Sequence, residues 1–221
     1  MRRRPLWTPR SVAHRVRQVR VVARWIIAVA VVTAGGCAQT QATNRNGFNG
    51  PNVSADLVSI DGDTIAWPRP ADAQPLVMLF ISRDCPIANG YAPQINRLVA
   101  DYEGRGVLFV LVHPERGIDA PTARRHAEDY GLSCPIVIDG EHRLVKDTGV
   151  KITPEAALVT AGGTVAYRGR IDDRYAGIGV RRTVSRTSDL RDAIEDVLAG
   201  RPVRVPRTQA VGCLIESAPE R

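Results

Sequence analysis

The chain is poor in the residues that build metal centres. It has four cysteines in 221 residues, Cys37, Cys85, Cys134 and Cys213, and no two stand at metal-ligand spacing. The four histidines, His14, His113, His126 and His142, are scattered. This pattern does not describe a structural zinc site, and nothing in it calls for a cofactor. A basic cluster interleaved with aromatics is also lacking, which argues against a nucleic-acid partner. The net charge of +7 does not reverse that reading. Residues 1–36 hold eight arginines and no acidic residue, and the rest of the chain has 22 basic against 23 acidic side chains. The positive charge therefore belongs to a leader and not to a binding face. The apolar run inside the leader, Trp25–Val32, is too short to span a bilayer comfortably.

Small residues follow that run, Thr33-Ala34-Gly35-Gly36-Cys37. The whole resembles a bacterial lipoprotein signal, with Cys37 as the acylated first residue of the mature chain, although Ala34 stands where leucine is usual. Plain secretory cleavage nearby and an uncleaved N-terminal anchor are the alternatives. Each exports the rest of the chain, and the lipoprotein reading tethers it to the periplasmic side of a bacterial membrane, where thiols can pair. Residues 1–36 then form a signal peptide and 37–54 a flexible tether rich in Gln, Thr, Asn and Gly. Residues 55–200 form the folded domain, and 201–221 a C-terminal tail carrying Cys213. Three cysteines remain after Cys37, so at least one stays free or bonds another molecule.

The stretch Leu76–Val99 organises the domain. An apolar run, Leu76 to Ile81, has the length and composition of a buried strand. It turns through Ser82-Arg83-Asp84 into Cys85-Pro86, and proline suits the first turn of a helix. Ile87, Tyr91, Ile95 and Leu98 then recur at helical spacing. Cys85 thus sits at the positive end of a helix, which favours thiolate. Its alternative is a small buried hydrophobe.

Before this stretch, Asp56–Ile60 and Thr64–Trp67 flank Asp61-Gly62 as a hairpin. Trp67 is a core cap or a site wall. After it come a buried strand at Val107–Val112, then His113-Pro114-Glu115, with His113 read as a surface loop residue. A helix follows over Ala120–Tyr130, a short strand over Pro135–Ile138 and a brief helix over Glu141–Thr148. Ala156–Val159 and Thr164–Arg168 make a second hairpin around Ala161-Gly162-Gly163. Gly169–Arg186 reads as a long polar loop with Arg170, Asp172, Asp173 and Arg174, and Ser188 as the cap of a helix ending at Leu198.

This order resembles the thioredoxin superfamily, and within it the redoxin branch of peroxiredoxin-like and thiol–disulfide oxidoreductase domains. Cys85-Pro86 after the first buried strand carries the resemblance, with Thr153-Pro154 before the hairpin and the run Asp139-Gly140, Gly149-Val150, Gly162-Gly163-Thr164-Val165. The segments Cys85-Pro86-Ile87-Ala88-Asn89-Gly90-Tyr91-Ala92-Pro93, Gly169-Arg170-Ile171-Asp172-Asp173 and Gly212-Cys213 look like exported bacterial redoxin-domain proteins. The resemblance implies an α/β thioredoxin-like fold: a central mixed β-sheet flanked by helices, with an N-terminal β-hairpin. It also implies a cis Pro154 facing Cys85.

Two positions depart from the family. Ala88 stands where a dithiol oxidoreductase has its second cysteine. Of the peroxiredoxin pattern, Ser82 can replace the peroxide-orienting threonine, but Met78 replaces the proline. The implied activity is thiol–disulfide exchange through Cys85 on protein thiols or disulfides, with Cys213 as a mobile resolver from a flexible tail. Cys134 is the other candidate resolver, read chiefly as a core residue. A thiol peroxidase acting on a small peroxide is one alternative. A binding module stapled by a permanent Cys85–Cys213 disulfide is another, since such a bond can stabilise by roughly 2–4 kcal/mol.

Overall fold

A computed structural model of the protein describes residues 55–67 and 74–216. The leader, Cys37 and the tether lie outside the described residues, as does the Trp67 side chain. In chain order the elements are β1 (Ala55–Val58), β2 (Thr64–Trp67), β3 (Leu76–Phe80), α1 (Pro86–Tyr102), β4 (Leu108–His113), α2 (Ala120–Tyr130), β5 (Ile136–Ile138) and α3 (Arg143–Thr148). Then come β6 (Ile152–Thr153), β7 (Glu155–Val159), β8 (Val165–Gly169), β9 (Tyr175–Gly177), β10 (Val180–Arg181), α4 (Asp189–Leu198) and β11 (Cys213–Leu214).

A five-stranded sheet runs in the order β5-β4-β3-β7-β8. β3, β4 and β5 are parallel; β7 and β8 are antiparallel to their neighbours. β3 lies at the centre because its apolar run has no polar face to offer solvent, and all five of its residues are buried. Its alternation divides the core. Val77 and Leu79, followed by Ile81, pack with Tyr91, Ile95 and Leu98 of α1, Ala123 of α2 and Leu190 and Ile194 of α4. Leu76, Met78 and Phe80 face Leu57, Leu144 and Val150 on the other side. The architecture is the thioredoxin-like α/β sandwich that the resemblance implies, with the β1–β2 hairpin at its start. Among the described residues no helix is long and apolar enough to cross a membrane.

Three expectations change. Gly169–Arg186 is not a plain loop: it contains the β9–β10 hairpin. Two buried aspartates hold it. Asp172 Oδ1 accepts from the Tyr91 hydroxyl at 2.7 Å and from the Arg174 amide at 2.9 Å, while Asp173 Oδ1 takes the Arg186 and Thr187 amides. Ser188 stands at the start of α4 but makes no side-chain cap; Asp189 and Asp192 in the first turn supply the favourable charge instead.

The tail is also laid down along the domain. Arg201 and Arg204 reach Asp196, Thr208 donates its amide to the Arg168 carbonyl, and Cys213–Leu214 pairs antiparallel with β6. It is held there by these contacts and by the Pro206 carbonyl, which accepts the Arg168 amide.

The Asp139-Gly140 turn does more than reverse the chain. Asp139 is buried, and its carboxylate accepts the amides of Arg143 at 2.8 Å, Leu144 at 3.2 Å and Val145 at 2.9 Å. It caps α3 in place of His142, whose side chain accepts no capping bond. Removing it leaves three amides unpaired. Asp139→Ala is expected to lower stability by about 2 kcal/mol, read from the urea midpoint at unchanged slope.

Candidate functional site

The Cys85 turn is built by the end of β3. The Cys85 amide donates to the Ser82 carbonyl at 3.2 Å, closing the turn, and Pro86 opens α1. Cys85 is the N-cap: its Sγ accepts the Ala88 amide at 3.5 Å and, as a thiol, donates to the Thr153 carbonyl at 2.9 Å. Thr153 and Pro154 meet it across the fold, and their peptide bond is cis. Cys85 is 0 % exposed.

The cover is the tail. Cys213 lies opposite Thr153 in the β11–β6 pair, and the Ile215 amide donates to the Lys151 carbonyl at 2.9 Å. Gly212 lies so close that a Cβ there would sit 2.0 Å from the Thr153 carbonyl oxygen. Cys213 is exposed, its side chain and amide act on the proton affinity of Cys85, and both are free thiols.

Their proton affinities diverge. Burial pushes the Cys85 thiol up, but bonds from the Cys213 side chain, the Ala88 and Cys213 amides and the Thr153 side chain outweigh it and hold it below the ordinary value. Burial and the adjoining Cys85 push Cys213 up to about 11. Cys134 lies elsewhere, buried beside Ile65 and Phe109, and burial pushes it up to about 12. It sits as a core residue, and the sulfur that meets Cys85 is that of Cys213.

A second polar system stands behind the turn. The Glu115 carboxylate accepts the Arg83 amide at 2.8 Å. His113 is not a surface residue: it is 0 % exposed, because its ring nitrogens are satisfied internally. Nδ1 lies 2.8 Å from Glu115 Oε2, and Nε2 lies 3.3 Å from His126 Nδ1. His126 Nε2 lies 2.8 Å from Asn89 Oδ1, and Asn89 Nδ2 donates to the Arg83 carbonyl at 2.8 Å. Asn89 therefore offers an acceptor to His126, which donates from Nε2 and accepts at Nδ1 from His113. The proton that remains lies between His113 and Glu115. Burial raises the Glu115 carboxyl, but the bonds from His113, Arg83 and Ser82 prevail and hold it below its ordinary value.

Cys213, Thr153, Ser82 and Glu115 line one groove of about 430 Å³, with Leu214 at its edge. Among the described residues no group of three or more His, Cys, Asp and Glu could hold a metal ion.

The Redoxin family profile matches residues 45–177 of this sequence. The chain belongs to the Redoxin family. It is 26% identical over 113 residues to thiol-disulfide oxidoreductase ResA of Halalkalibacterium halodurans, covering 51% of this chain and 62% of that protein. The match thus spans less than two thirds of that relative's length. Among solved structures it is similar to an uncharacterized conserved protein of Geobacillus kaustophilus (TM-score 0.67, 24% identity, 80% of this chain and 96% of that one). A hypothetical protein of Sinorhizobium meliloti is also similar (TM-score 0.63, 22% identity, 75% and 92%). These structures share the fold.

In this redoxin the structure brings Cys85, Cys213, Thr153 and Pro154 together, with Ser82 on the same groove. Sequence reasoning missed Glu115, His126 and Asn89. One signal was present: His113 and Glu115, two residues apart where β4 ends, face the same side.

Gly212 carries the closest backbone approach in the site. Gly212→Ala is expected to lift the tail from β6 and speed N-ethylmaleimide capture of Cys85 on the order of tenfold. Gly104→Ala, with open space at its Cβ position, should leave that rate unchanged.

Proposed function

We propose that this redoxin is an exported thiol–disulfide oxidoreductase that acts through Cys85 and cycles between a Cys85–Cys213 disulfide and the dithiol. The observation that carries the reading is the meeting of unlike thiols at Thr153: a buried Cys85 of lowered proton affinity donates to its carbonyl, and the exposed Cys213 lies opposite it on a docked strand. Cys213 supplies the second sulfur that Ala88 does not. Thr153 presents its carbonyl to Cys85, through the strand that ends in the cis Thr153-Pro154 bond.

The partners are protein thiols or disulfides. Residues 1–36 serve as a lipoprotein-type signal peptide, 37–54 as a tether and 55–200 as the redoxin domain, with 201–221 as its tail. Cys37 is the lipidated residue that would hold the protein at the periplasmic side of a bacterial membrane. A small peroxide fits less well as oxidant, since Cys85 is enclosed.

A second reading, a binding module with a permanent Cys85–Cys213 staple, is favoured by one observation: Cys85 has no exposed surface.

Disulfide mapping of the full chain, followed by Cys85 alkylation against pH after mild reduction, separates the two. The oxidoreductase requires a Cys85–Cys213 bond that opens under mild reduction and a Cys85 midpoint below about 8.5, the free-thiol value. A bond that resists reduction, or a midpoint at or above that value, leaves the binding module. Cys213→Ala should raise the Cys85 midpoint, because burial then acts without the opposing Cys213 side chain, whereas Cys134→Ser should not move it.

A further inference from the structure

The two sulfurs differ in access, and access decides which one a substrate meets. Cys85 has no exposed surface: the Thr153 carbonyl, the first turn of α1 and the Gly212–Ile215 backbone enclose it. Cys213 is exposed on a groove of about 430 Å³. We infer that Cys213, and not Cys85, is the sulfur that bonds the incoming thiol, and that Cys85 is the buried leaving group. The inference rests on the Cys85–Cys213 pair proposed above and assigns the two roles within it.

The step balances without another reagent. A substrate thiolate attacks Cys213 Sγ of the oxidised pair. The new bond joins the substrate sulfur to Cys213, and the Cys85–Cys213 bond breaks with its electron pair on Cys85 Sγ. No proton moves. Cys85 leaves as thiolate at the α1 N-terminus, where the Ala88 amide faces it. A second substrate thiolate then attacks the sulfur of the first. The substrate departs as a disulfide, and Cys213 leaves as thiolate and takes a proton from water. Two substrate thiols are oxidised and the pair is reduced.

The lowered proton affinity of Cys85 and the raised one of Cys213 favour this polarity, since the sulfur of lower proton affinity leaves faster. Attack on Cys85 would first require the tail to leave β6.

The groove also selects the thiol by charge. Asp84, Glu115, Asp119 and Glu216 line it against Arg83 and Arg116, so carboxylates outnumber guanidinium groups. A cationic thiol is drawn in and an anionic one is repelled.

The test uses the oxidised full-length chain, its disulfides mapped beforehand. It is mixed with cysteamine for a single turnover, quenched in acid and capped with N-ethylmaleimide, and both cysteine peptides are read by mass spectrometry. The expected result is cysteamine on Cys213 and the maleimide on Cys85, in excess over the reverse by at least about tenfold. Cysteamine on Cys85, from a chain whose Cys85–Cys213 bond was mapped at the start, overturns the assignment and leaves the pair standing. Absence of that bond at the start overturns both. At equal thiolate concentration and low salt, cysteamine should react several-fold faster than 2-mercaptoethanesulfonate, with the gap closing as salt rises. Equal rates at low salt overturn the charge preference.

Discussion

The backbone of Thr153 is the constraint on which the site depends. Its carbonyl accepts the Cys85 thiol, its strand pairs with Cys213, and its carbonyl oxygen leaves no room for a side chain at Gly212. Three segments remote in sequence therefore share one peptide plane. The helix N-terminus lowers the proton affinity of a thiol in general terms. Here the tail adds donors of its own, so the tuning of Cys85 is a property of the folded chain from residue 82 to residue 215 and not of α1 alone. The same contact that tunes the sulfur also covers it.

The turn before Cys85 has its own support. Glu115 grips the Arg83 amide, Asn89 grips the Arg83 carbonyl, and the His113–His126 pair joins the two grips behind the sheet. Burying two imidazoles beside a half-buried carboxylate is costly unless their polar atoms are matched, and this chain matches them in series. The arrangement ties the β4 end, α2 and the first turn of α1 into one unit. On the other side of α1, Tyr91 donates to Asp172, which fastens the β9–β10 segment to the same helix.

Local chemistry made part of this legible. β3, the turn and α1 were readable because an apolar run, a proline and a 3.6-residue stripe each express a rule that operates within a few residues. The Asp139-Gly140 turn was readable for the same reason, whereas Thr153-Pro154 stood out only through the family resemblance. β9, β10 and β11 were not. Strands of two or three residues carry no periodicity; β9 and β10 pair with each other, and β11 exists because β6, about sixty residues earlier, accepts it. Gly212 reads as freedom in a sequence and acts as a close approach in the fold. His113 looked like a loop residue because the acceptor that justifies its burial, His126, lies a helix away.

Cys134 has a meaning beyond the core it fills. Three thiols in one domain allow three pairings, and in an oxidising compartment the wrong two would trap the chain. Exchange proceeds only from a thiolate that another sulfur can reach. Cys134 is enclosed beside Phe109, with its proton held up to about 12, so once the sheet closes it is silent in the isomerisation that sorts disulfides. The odd cysteine is thus insulated by the fold itself, and the pairing proposed above, Cys85 with Cys213, is the one that leaves it out.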